Sequence, residues 1–128
     1  MITKFIIFGA LGWCMEVLWT GLVSLVKKDD IRLISTTSIW MFFIYGMGSF
    51  IGLLFPFVLH LNFFARGLIY MLCIFFVEYA TGRIMQKLKI CPWDYSDSKF
   101  HIHGVIRLDY APLWFGAGLL FERVFLWI

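Results

Sequence analysis

Apolar residues fill four long stretches of the chain, and polar residues collect in the connections between them. The stretches cover residues 2–26, 38–60, 63–85 and 110–128. At 1.5 Å per residue, helices of these lengths reach roughly 28–37 Å, close to the ~30 Å hydrocarbon core of a bilayer. The pattern therefore predicts an all-α membrane protein, a bundle of four transmembrane helices that forms a single transmembrane domain over residues 1–128.

Proline positions and one alternating segment refine this prediction. Pro56 lies near the end of the second helix, where we expect a kink, and Pro112 suits the first turn of the fourth. The connection 86–109, between helices 3 and 4, is the least apolar part of the chain. Within it, residues 100–109 alternate apolar and polar, which indicates an extended segment in an interfacial loop.

Composition agrees with a lipid environment. Hydrophobic residues make up 62% of the 128 residues and charged residues 15%, against about 45–50% and about 25% in soluble domains. The net charge of +3 is too small to suggest binding of nucleic acid. Three isolated cysteines form no C-x-x-C pair and are interpreted as small buried hydrophobic residues.

Basic residues are distributed unevenly between the two predicted sides of the membrane. The side with the two longer connections has eight of them and the other side three. By the positive-inside rule, loops 27–37 and 86–109 are cytoplasmic and both termini lie outside.

Glu16 and Glu78 are acidic residues inside predicted helices. A charge at mid-bilayer costs at least about 2.5 kcal/mol unless it is neutral, paired or facing water. Each lies about ten residues from the cytoplasmic end of its helix, roughly 15 Å deep, so the two could face one another in a polar cavity. Trp13, Thr20 and Ser24 share a stripe with Glu16 at helical spacing. The alternative is that each carboxylate is simply capped by a neighbouring Tyr, Trp or Arg.

Further residues could belong to the same cavity or to helix packing. Glu122 in the last helix could join the interior set, and Tyr45 lies in the second helix among glycines. The glycines are interpreted as packing faces rather than as a substrate-lining backbone. They are Gly46, Gly48 and Gly52, with Gly9 and Gly12 in the first helix and Gly116 and Gly118 in the last.

The loop at residues 91–96 carries the densest group of polar and aromatic side chains. Trp93 and Tyr95 suit the headgroup level, and we expect Asp94 to be partly buried, bonded to backbone N–H groups or to an arginine. Asp109 and the pair His101-x-His103 follow. This H-x-H pair lacks a defined third ligand, so we expect no metal site and no cofactor.

Taken together, several motifs resemble a known family. They are Gly12-Trp13-Cys14-Met15-Glu16, Thr37-Ser38-Ile39-Trp40, Glu78-Tyr79-Ala80-Thr81-Gly82, Cys91-Pro92-Trp93-Asp94-Tyr95-Ser96 and Gly104-x-Ile106-x-Leu108. The series resembles the transmembrane protein 229 family, which is grouped with the bacterial CmpB-like proteins named as type IV ABC-transporter permeases. The resemblance implies a multi-spanning membrane protein, which we expect in the cytoplasmic membrane of a bacterium. The second helix keeps only Ile44-Tyr45-Gly46 of the bacterial pattern, closer to the 229 branch.

Three functional hypotheses follow. The first is a small transporter-like or channel-like homo-oligomer, with a carboxylate-lined cavity open to the cytoplasm. Its ligand- or ion-binding residues would be Glu16, Tyr45, Glu78, Trp93, Asp94, Tyr95, Asp109 and Glu122. The second is a non-catalytic membrane subunit that needs a partner such as an ATPase. The third is a membrane-embedded enzyme acting on lipid, which would use the interfacial Asp and His residues.

Overall fold

A computed structural model describes residues 1–128, apart from the side chain of Lys28. The chain is mostly helical, as the apolar pattern predicts. It divides into two compact units, Met1–Ser49 and Phe50–Ile128, which are described separately below. A single transmembrane domain stays a prediction.

The first unit is an antiparallel helical hairpin. Helix α1, Ile2–Lys28, ends where Asp29 adopts the left-handed conformation with φ 52°, which aspartate tolerates better than most residues. Helix α2, Ile39–Gly46, begins after Ser38, whose hydroxyl accepts a hydrogen bond from the N–H of Trp40. This cap supplies a partner for one of the free amides of the first turn.

The second predicted helix is not one continuous α-helix. After α2 the chain continues as a 3₁₀ helix, Met47–Leu54, and then as a short α-helix, α3, Phe55–Val58. The helix was expected to kink at Pro56, but its α-helical geometry is already interrupted before that residue, in the 3₁₀ segment Met47–Leu54. Proline removes one helical donor and disfavours the α conformation before it, and the glycines of this stretch have low helix propensity. Both effects weaken α-helical hydrogen bonding here.

The second unit pairs two helices. Helix α4, Phe63–Lys87, is capped by Asn62, whose side chain accepts from the N–H of Ala65. Helix α5, Ala111–Trp127, has Pro112 in its first turn, as predicted. Phe115 packs over Gly67 and Tyr70 packs over Gly118, which fixes how the two helices meet.

A short β-hairpin covers the C-terminal part of α4. Strand β1, His101–Ile102, pairs antiparallel with β2, Ile106–Arg107, which confirms the extended segment predicted from alternation. His103 and Gly104 have φ of 54° and 71°, the two left-handed positions of a type I′ turn.

Three helices of the described chain are long and apolar enough to cross a membrane, Ile2–Lys27, Ile39–Val58 and Phe63–Lys87. Together with the composition, they make the protein an integral membrane protein. Helix α5 has 17 residues and reaches only about 26 Å. A fourth crossing and a four-helix bundle therefore stay predictions.

Candidate functional site

Glu16 and Tyr45 meet inside the first unit. The Tyr45 hydroxyl donates to Glu16 Oε2 at 2.9 Å, and both side chains are partly buried. The position of Tyr45 depends on Gly12, because a Cβ at that glycine would lie 2.0 Å from Tyr45 Cγ. The lack of a side chain at Gly12 therefore leaves room for the Tyr45 ring, whose hydroxyl binds the Glu16 carboxylate.

The other polar side chains of α1 serve the hairpin itself. Trp13 Nε1 donates to the Ser38 carbonyl at 3.0 Å, which ties α1 to the start of α2. The Thr20 hydroxyl donates to the backbone carbonyl of Glu16 at 2.9 Å. Trp13 and Thr20, two residues of the predicted polar stripe, therefore form hydrogen bonds with backbone carbonyls.

Glu78 is buried in the second unit, with 9% of its surface exposed. It lies on the buried side of α4 together with Tyr70 and Gly82. Tyr70 packs against α5, and Gly82 receives Val105 from the hairpin. Glu78 therefore lies between the part of α4 that contacts α5 and the part that the hairpin covers.

Glu122 belongs to a buried ion pair. Arg66 Nε donates to Glu122 Oε2 at 2.9 Å, and the Tyr70 hydroxyl donates to the same oxygen. Arg66 also donates to the Leu61 carbonyl at 2.8 Å. Glu122 is 6% exposed, so its charge is compensated where water has little access. These contacts favour a structural role for Glu122 over a place in a ligand cavity.

Trp93 anchors the interfacial loop to α4. Its Nε1 donates to the Val105 carbonyl at 2.9 Å. Its ring and the Val105 side chain both lie over Gly82, where a Cβ would approach them to 3.0 and 2.7 Å. Nearby, the pKa of the Cys91 thiol is raised, chiefly by burial and further by the charges of Asp94 and Glu78. Because Gly82 lies one helical turn from Glu78, the Trp93 ring brings the loop close to the buried carboxylate of α4.

Asp94 differs from its prediction in one respect. Its Oδ1 accepts from the Ser96 N–H at 2.9 Å, as expected for a turn, but the side chain is exposed rather than partly buried. Hydrogen bonds from Ser96 hold the pKa of Asp94 below its ordinary value. Two arginines of this region bind other side chains, since Arg83 donates to Gln86 and Arg107 to Asp109.

Tyr95 and Asp109 lie at the base of the hairpin. Arg107 donates to both oxygens of Asp109, at 2.8 and 3.0 Å, and this pairing lowers the pKa of Asp109. The guanidinium lies 4.6 Å from the ring centre of Tyr110, which in turn contacts Tyr95 edge-on at 5.6 Å. This cluster is typical of an anchor at the headgroup level.

The two histidines are used by the hairpin. His101 Nδ1 accepts from the Gly104 N–H at 3.0 Å, and His103 Nδ1 lies 2.9 Å from the Tyr79 hydroxyl. Among the described residues, no group of three or more His, Cys, Asp or Glu side chains could hold a metal ion.

The predicted site residues thus lie in three places. Glu16 and Tyr45 lie together in the first unit, whereas Glu78, the loop residues 93–95 and Asp109, and the Arg66-bound Glu122 belong to the second. A shared cavity stays a prediction. Arg66 and Tyr70 were not predicted as partners of Glu122, although their spacing of four residues, one helical turn apart, placed both on one face of α4.

Comparison with known proteins places the chain in a family. No solved structure matches it. Residues 3–127 match the CmpB family, described as "Putative ABC-transporter type IV", and the match covers nearly the whole chain. The matched residues therefore include the loop at residues 91–96 and the carboxylates Glu16, Glu78 and Glu122. The chain belongs to the CmpB family of ABC-transporter-related membrane proteins.

Proposed function

We propose that the protein is a membrane transport component that uses carboxylates within its helices to bind a cation, a proton or an amine-bearing substrate. The observation that carries the proposal is Glu16, a carboxylate within an apolar helix that remains only partly buried although the Tyr45 hydroxyl caps one of its oxygens. Acidic residues inside membrane helices are expensive and commonly mark ion or substrate pathways. Glu78 supplies a second buried carboxylate.

In this proposal the protein acts as a homo-oligomer around a cavity open to the cytoplasm. Glu16, Tyr45 and Glu78 line the cavity, and the loop at residues 93–95 lies at its mouth. Copies of the chain would supply the walls that a thin bundle lacks. We assign Glu122 to the structural pair with Arg66 instead.

A second candidate is a membrane subunit that depends on a partner ATPase. Two observations favour it. The family is described as an ABC transporter, and the 128 residues contain no G-x-x-x-x-G-K-[ST] motif for nucleotide binding. Flux by the purified protein alone supports the first candidate, whereas flux that requires a partner and ATP supports the second. Within the family, we propose that the chain lies in the transmembrane protein 229 branch.

Changing Glu16 or Glu78 to glutamine tests the proposed role. Uptake of protons, potassium and methylammonium into proteoliposomes is measured for the wild type and both variants. Hydrogen bonds to a charged group are worth roughly 1.5–3 kcal/mol, so we expect flux of the transported cation to fall about tenfold or more. The amide fills the same space and still accepts from Tyr45, so the thermal transition should change little.

Leucine variants provide the contrast. Should Glu16→Gln and Glu78→Gln keep full flux while Glu16→Leu unfolds the protein, the carboxylates are structural and the proposal is wrong. Arg123→Gln is the control, since Arg123 is exposed at the end of α5 and should leave flux unchanged.

The orientation is tested by labelling engineered cysteines. In a cysteine-free background, Asp29→Cys and Ser98→Cys should react with an impermeant maleimide only from the cytoplasmic side, because basic residues near both loops favour that side. His60→Cys, in the connection before α4, should react only from the other side. Labelling of both loop cysteines from outside would reverse the orientation.

A further inference from the structure

Residues 33–38, here called the return segment, lead into α2 and form neither helix nor strand. At Leu33 the chain turns back towards α1 with a φ of 55°, which is rare for a bulky residue. A Cβ at Gly21 would lie 3.2 Å from the Leu33 carbonyl oxygen, and the Ser38 carbonyl accepts from Trp13 Nε1 at 3.0 Å. The return segment therefore runs beside about two turns of α1, from Gly21 to Trp13.

The part of α1 beside the return segment is apolar. Residues 5–26 contain a single charged side chain and reach about 33 Å, close to the ~30 Å hydrocarbon core of a bilayer. Measured along the helix from Val26, Gly21 lies about 8 Å away and Trp13 about 20 Å away. Leu18, between them, is 67% exposed, as expected for a side chain that faces lipid. The return segment therefore lies at the depth of the hydrocarbon core.

The backbone amides of the return segment lack hydrogen-bond acceptors. Among the described residues, no group accepts from the N–H groups of residues 34–37. Lipid offers no acceptor either, so irregular backbone at this depth is tolerated only where protein buries it or where it lines a water-filled cavity. The first unit leaves Thr36 and Thr37 exposed. These amides therefore require water or another protein surface.

We propose that the return segment lines a water-filled groove that leads from the Asp29 end of α1 to Glu16. Water in the groove accepts hydrogen bonds from the amides of residues 34–37 and bonds to the neighbouring hydroxyls. Water is favoured over a protein surface because residues 35–38 are four consecutive hydroxyl side chains. An interface between apolar helices would bury these hydroxyls without partners, which is costly.

Glu16 lies on the side of α1 that faces the groove. It is one helical turn from both Trp13 and Thr20, and these two side chains contact the return segment. The Thr20 hydroxyl lies 3.4 Å from the Thr36 carbonyl oxygen, and Trp13 binds the Ser38 carbonyl. The consequence for transport rests on the proposed function: protons or small hydrated cations reach the partly buried Glu16 carboxylate through this groove.

Cysteine accessibility tests the groove. In the cysteine-free background, Thr36→Cys and Thr37→Cys are treated with a charged, membrane-impermeant methanethiosulfonate from the side on which Asp29→Cys reacts. A thiol must ionise before it reacts, and a charge in the bilayer core costs at least about 2.5 kcal/mol, equivalent to about 70-fold in rate. We therefore expect both cysteines to react at least about 70-fold faster than a cysteine that faces lipid at the same depth.

Leu18→Cys is the matched control, because Leu18 lies at the same level of α1 and is exposed. If Thr36→Cys and Thr37→Cys are as unreactive as Leu18→Cys, protein or lipid covers the return segment and the proposal is wrong. If Leu18→Cys reacts as fast as they do, this level of α1 lies outside the bilayer, which also overturns the proposal. Flux plays no part in this measurement, so the groove and the transport function can fail separately.

Discussion

Replacing Arg66 with leucine is expected to destabilise the protein by roughly 3–5 kcal/mol, the cost of leaving a buried charge unpaired. Arg66 compensates Glu122, which keeps only 7% of its side chain exposed. The variant leaves that carboxylate with the Tyr70 hydroxyl and also frees the Leu61 carbonyl. Reversible unfolding in detergent micelles measures the loss.

The double variant Arg66→Leu with Glu122→Leu separates charge from packing. Replacing a whole buried pair by apolar residues is often neutral, so the double variant should recover most of the lost stability. If the double variant is as unstable as Arg66→Leu, the loss of stability comes from altered packing and not from the unpaired charge. Arg123→Leu is the control, because Arg123 adjoins Glu122 in sequence but is exposed and should change stability little.

Two glycines of α5 should respond oppositely to alanine. A Cβ at Gly118 would lie 2.3 Å from Tyr70 Cβ, whereas a Cβ at Gly116 meets nothing within 4 Å among the described residues. Overpacking of this kind costs about 1–3 kcal/mol, so Gly118→Ala should destabilise the protein. Displacing Tyr70 would also disturb its bond to Glu122.

Gly116→Ala is the matched control on the same helix. Alanine favours a helix over glycine by about 1 kcal/mol, so this variant should be neutral or slightly more stable in the same unfolding measurement. Equal changes in stability at the two positions would show that helix propensity decides the effect, and not the contact between residue 118 and Tyr70.

The glycines illustrate the limit of interpretation by pattern. Their predicted role in helix packing is confirmed by the contacts at Gly12, Gly46, Gly52 and Gly118. Most of them receive an aromatic ring rather than a neighbouring backbone. Which aromatic ring packs against which glycine depends on how far the two helices are shifted along each other. No local sequence pattern specifies this shift.

The carboxylates show the same division. Their positions inside apolar helices were evident from the sequence, because a charge in such a run is rare. Their partners were not, since Tyr45 lies 29 residues from Glu16 and Arg66 lies 56 residues from Glu122. A structural role could be assigned to Glu122 only from its contacts with Arg66 and Tyr70 in the structure.

The sequence by itself determined the elements whose causes are local. Apolar length specified the helices, Pro112 marked the start of α5, and alternation over residues 100–109 predicted an extended segment, since each depends on neighbours within a turn or two. Only the tertiary structure decided the exposure of Asp94 and the pairing of Glu122. These outcomes depend on many weak contacts between residues far apart in the chain, and those contacts exist only after the helices have packed.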